Sequence, residues 1–149
     1  MNATRQIGAL SSDRKKRFFQ FFDIDFYPEV IPNQLPDLLE KNYACVLFDM
    51  GVLGSATYPE FMRCELKLVA GSISPWKMGI YRNWLDKNQT IWKTNSEDII
   101  LLGNLGGKTE INRWKSQFRI PIRAVPYLEN PFQLTSSDWT FFKELLKEN

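Results

Sequence analysis

The sequence predicts an α/β fold, a three-layer, mostly parallel, Rossmann-like sheet of about five strands. Short continuous apolar runs recur, each closed by an acid or a glycine: YACVLFDMG at 43–51, LKLVAGS at 66–72 and DIILLG at 98–103. Strands apolar on both faces suit a parallel sheet buried between layers. Amphipathic stretches of helical period separate these runs, and such alternation is the pattern of right-handed crossovers. No linker, internal repeat or low-complexity segment interrupts it. Residues 1–19 read as an N-terminal arm and residues 20–149 as one α/β domain.

The arm has weak periodicity and carries Arg14, Lys15, Lys16 and Arg17 ahead of a phenylalanine cluster. Four cations beside aromatics are few for a single-stranded nucleic acid, and those aromatics equally serve a core. Residues 21–26 alternate apolar and acidic side chains, as a strand with one polar face does. A helix follows from Asn33, with Pro36 in its first turn and Leu35, Leu38 and Leu39 facing inward.

Residues 43–49 form a buried strand, and Asp49 is the acid that closes it. Thr57 then caps a short helix with Pro59 early in it. Residues 66–70 are the next strand, ending at Gly71 and Ser72. A helix over 76–88 has Met78, Tyr81, Trp84 and Leu85 suited to one face. Residues 98–103 form a further buried strand, followed by the turn NLGG and a helix over 108–118. A last strand over 120–125 runs to Pro126, and a closing helix over 136–147 has Ser137 or Asp138 near its cap.

With 149 residues and 44% hydrophobic content the chain can bury a core as one domain, and five tryptophans and eleven phenylalanines supply its bulk. A net charge of +2 with 24% charged residues is ordinary. Nucleic acid is therefore not an expected partner. No run is long enough for a transmembrane segment and the start lacks the order of a signal peptide, so a cytoplasmic location is expected. Cys45 and Cys64 show no metal or disulfide spacing and read as reduced core residues. The absence of histidine removes Ser-His and Cys-His nucleophile pairs and the usual zinc sets.

Taken together, YACVLFDMG, LKLVAGSISPW, DIILLGNLGG and RIPIRAVPYLENPF resemble the later part of the ParA/MinD-like ATPases. These are the deviant-Walker-A branch, SIMIBI class, of the P-loop NTPases, and the resemblance covers residues 20–149. It implies a P-loop NTPase-like fold and a role in a nucleotide-dependent switch or positioning process. The family's opening strand, lysine-bearing phosphate loop and helix have no counterpart before residue 40. The resemblance thus implies a truncated or catalytically incomplete ATPase. ATP and Mg2+ would belong to a complete protein, with no tight binding by this chain alone.

The resemblance assigns Asp49 the catalytic and metal-holding position, through water to magnesium, and Gly51 a place by the terminal phosphate. Ser72 follows the next strand, and Asn104 follows the strand whose end approaches the base; Asp49, Gly51, Ser72 and Asn104 are the cofactor-binding candidates. Read from residue types alone, Asp49 is either ligand-facing at a strand end or a cap for the following loop. The sequence Gly103-Asn104-Leu105-Gly106-Gly107-Lys108-Thr109 ends in GKT but has three residues, not four, between its first glycine and GK. It reads as a glycine turn with a solvated lysine.

Two further functions fit the same residues. One is a non-enzymatic interaction module that binds a protein partner, or a second copy, through aromatic surface such as Trp76, Trp92 or Trp139. The other is a receiver-like domain in which Asp23 and Asp25 stand beside a phosphoacceptor Asp49. No lysine follows the last strand, which places that reading last.

Overall fold

A computed structural model describes residues 18–21, 23–28, 30–95, 97–130 and 133–147. The expected arm up to residue 17, with its basic cluster, lies outside them. The chain divides into two units, Met1–Cys64 and Glu65–Asn149. Among the described residues no helix is long and apolar enough to cross a membrane.

In the first unit, β1 (Phe19–Phe21) and β2 (Ile24–Phe26) form an antiparallel hairpin with Phe19 opposite Phe26. The single strand expected at 21–26 is corrected to a turn and a strand. Asp23 adopts φ 58°, the left-handed conformation that tight hairpin turns require. Alternation continues across the turn, so periodicity alone could not reveal it. The rings of Phe19 and Phe26 stack with centroids 5.1 Å apart. The short helix α1 (Leu35–Leu39) buries Leu35 but leaves Leu39 exposed, against the expectation that both face inward. In α2 (Tyr58–Arg63) Phe61 is buried, while Thr57 makes no side-chain cap. Its Oγ1 instead accepts from the Gly54 N–H at 3.1 Å.

The largest correction concerns residues 43–49. They form no strand; only Asp49 makes an isolated bridge. Cys45 is exposed rather than in a core, and Leu47 is 84% exposed. A strand apolar on both faces needs a ladder and a layer on each side. Among the described residues of this unit, the sheet is a two-stranded hairpin, too small to supply them.

The second unit realises the parallel pattern. Strands β3 (Lys67–Ser72), β4 (Ile99–Asn104) and β5 (Ile122–Ala124) lie in the order β3-β4-β5, all parallel. Three of the five expected strands therefore form a parallel sheet, the one expected at 21–26 contributes to the separate antiparallel hairpin, the one expected at 43–49 is absent, and a single five-stranded sheet does not form.

Helices α3 (Met78–Lys87) and α4 (Gln89–Thr94) connect β3 to β4, and α5 (Lys108–Gln117) connects β4 to β5. Because the strand order advances in one direction, right-handed crossovers bring α3 and α5 to the same face. Tyr81 of α3 and Trp114 of α5 accordingly meet with centroids 5.7 Å apart. Trp114, Ile73, Leu85 and Ile122 are fully buried. Tyr81 donates its hydroxyl to the Val69 carbonyl at 2.8 Å, and burial pushes its phenol above the ordinary value.

Sequence reading missed α4. The Asn88 side chain donates to the Trp84 carbonyl at 2.8 Å and ends α3, and Trp92 of the new helix donates its indole N–H to the Leu85 carbonyl at 2.8 Å. The closing helix α6 (Ser136–Lys147) begins at a reciprocal cap. The Thr135 N–H donates to Asp138 Oδ2 at 2.9 Å, and the Asp138 N–H to Thr135 Oγ1 at 3.3 Å.

Candidate functional site

Three parallel strands end at one edge of the second unit, and the loops leaving them determine what that edge presents. Ser72 and Asn104, two of the expected cofactor residues, are register partners at the last positions of β3 and β4. The Ile73 N–H donates to the Asn104 carbonyl at 2.9 Å and prolongs the ladder. Ser72 Oγ donates to Ser74 Oγ at 3.2 Å. Asn104 Oδ1 is buried without a hydrogen-bond partner.

Asp49 and Gly51, the other two candidates, belong to the first unit. There the Gly51 N–H donates to Asp49 Oδ1 at 3.0 Å, and Gly51 adopts φ 62°. This is an Asx-type turn, in which the carboxylate orders its own loop and the left-handed residue is glycine because no Cβ intrudes. Asp25 accepts from the Tyr43 hydroxyl at 2.6 Å, and that bond raises the Tyr43 phenol above its usual range. Tyr27 joins at 2.8 Å from Tyr43, and Lys41 Nζ donates to Tyr27 at 2.9 Å. Among the described residues no three acids or cysteines converge as a metal site would require.

The GKT turn forms as a turn. Gly107 caps α5, and its N–H donates to Glu110 Oε2 at 2.9 Å. That hydrogen bond, with the one from Glu110's own amide, holds the Glu110 carboxyl below the ordinary value. The anion at this helix N-terminus is the protein's own. Gly106 is required for packing, since a Cβ there would stand 2.5 Å from Ile73. Lys108 is exposed.

What the edge does present is apolar. Trp76, after β3, is 94% exposed; Leu105, after β4, is 60% exposed; Tyr127, after β5, is 86% exposed. Ile80, four residues beyond Trp76, is 82% exposed. The Met78 N–H bonds to the Ser74 carbonyl at 2.9 Å, a turn that places Trp76 just ahead of α3 and Ile80 in its first turn. Of the three tryptophans considered for a surface, Trp76 and Trp139 are exposed and Trp92 is buried. Leu105, Tyr127 and Ile80 were missed, although the first two share a signal: each follows an apolar strand within three residues of its end.

A second concave feature lies against β5, an outer strand of this sheet. A cavity of about 310 Å³ opens between α5, β5 and α6, walled by Ile111, Ile122, Ala124, Phe141 and Leu145. Lys115, Arg123 and Glu144 also line it. No family model, curated protein or solved structure matches the chain.

Proposed function

We propose that this chain is a protein-interaction module whose binding surface is the carboxyl edge of the parallel sheet. The supporting observation is that each of the three strand-ending loops exposes one large apolar side chain: Trp76, Leu105 and Tyr127. Isolated exposed hydrophobes are common, but a set gathered on one edge and including a nearly free tryptophan is what interface anchors look like. The polar groups of the edge, by contrast, are largely engaged: Ser72 with Ser74, and the α5 N-terminus with Glu110.

The test is site-directed photo-crosslinking in the native cell. A photoreactive residue at position 76 or 127 should give discrete protein adducts, and one at Lys87, at the other end of α3, should not. Equal labelling from all three positions would refute the reading.

A second reading keeps the nucleotide. An incomplete ParA/MinD-like ATPase would use Ser72 and Asn104 of the second unit for ATP. One observation favours it: Ser72 and Asn104 stand side by side at the sheet edge, with Asn104 Oδ1 lacking a partner. Calorimetric titration with ATP and Mg2+ tests it. Weak binding lost in Asn104→Ala supports a nucleotide site, and binding unchanged in that variant removes it.

A further inference from the structure

We infer that the edge tryptophan is a knob for the α5–β5–α6 groove of a second copy of this chain. The inference rests on the interaction reading and names its partner. Trp76 makes almost no use of its own fold and follows β3, whereas the groove lies against β5, the outer strand at the other end of the order β3-β4-β5. Knob and hole thus lie apart on one chain and meet between chains.

The chemistry of the two surfaces corresponds. The cavity, about 310 Å³, is at the small end of the roughly 300–1,000 Å³ range of ligand sites, a size for one aromatic side chain rather than an extended molecule. Its walls are apolar, as an indole requires. Lys115 offers a cation to the indole face, the ring system that binds one best. Glu144 offers a carboxylate to Lys77, which is exposed beside Trp76. Ile80, 82% exposed in the first turn of the helix that follows Trp76, widens the apolar contact.

A contact between two different patches is heterologous. It leaves a free knob at one end of every pair and a free groove at the other, and so grows into rings or open chains.

The experiment uses the full chain in analytical ultracentrifugation over a wide concentration range. Wild type should grow beyond a dimer as concentration rises. Trp76→Ala destroys the knob and keeps the groove; Ala124→Arg fills the groove and keeps the knob. Each alone should weaken self-association by about tenfold or more, as loss of an anchor does.

An equimolar mixture should form one heterodimer and nothing larger. Glu144→Lys, at an exposed position, should weaken association without disturbing the fold and covers the case in which Ala124→Arg does not fold. Wild type that stays monomeric throughout, or a mixture that stays monomeric, overturns the inference. If photo-adducts from position 76 then contain a different protein, the interaction reading survives while the second-copy partner does not.

Discussion

The ring of Tyr81 lies directly on Gly71, where any Cβ would enter the space of the ring. Tyr81 also bonds the Val69 carbonyl, so the ring cannot swing away without losing a buried hydrogen bond. Gly71→Ala should therefore destabilise the chain by about 1–3 kcal/mol through overpacking. Urea denaturation measures it, and an unchanged midpoint would show that α3 yields freely.

Leu47 gives a contrasting case. At 84% exposure, Leu47→Ala should alter stability by no more than about 0.5 kcal/mol. A leucine in a buried central strand would lose roughly 2–5 kcal/mol on the same change. The same denaturation experiment separates these outcomes by more than its error.

Arg119 closes α5 with φ 54°, a conformation usually taken by glycine after a helix. The strain of a side chain there, about 1–2 kcal/mol, exceeds the roughly 0.5–1 kcal/mol of extra unfolded-state freedom that glycine brings. Arg119→Gly should raise stability by about 0.5 kcal/mol, read as a higher melting temperature.

Glu110 sets a pH dependence. Its carboxyl is held below the ordinary value by the Gly107 amide, then by its own amide. A folded-state value below the unfolded one means that the contribution is present above the unfolded value and is lost as pH falls through the folded one. Carbon-detected NMR titration should place the Glu110 midpoint below those of solvated glutamates. Glu110→Gln should remove this share of the acid-limb loss of stability.

The three strands of the second unit were legible because each apolar run finds its neighbours close in sequence, one helix away. Residues 43–49 have the same local pattern, and nothing in that pattern records whether a ladder and covering layers exist around it. Asp23 hid a hairpin because its left-handed turn is not written with glycine. For the site, residue type named Trp76, Trp92 and Trp139 together, yet only packing separates Trp92, bonded to Leu85, from the nearly free Trp76. Tyr127 belongs to the Pro-Tyr segment that carries part of the family resemblance, and nothing in its residue type or spacing records that the ring is 86% exposed.

β4 is the strand with a neighbour on both edges. The β3–α3–α4–β4 and β4–α5–β5 halves both close on it, so neither is complete when it leaves the sheet. Opening of the second unit should consequently be shared between its halves, with no partly melted half to lose first. Native-state hydrogen exchange should then find the amides of Leu101 and Leu102 exchanging only through that whole opening and reporting its free energy.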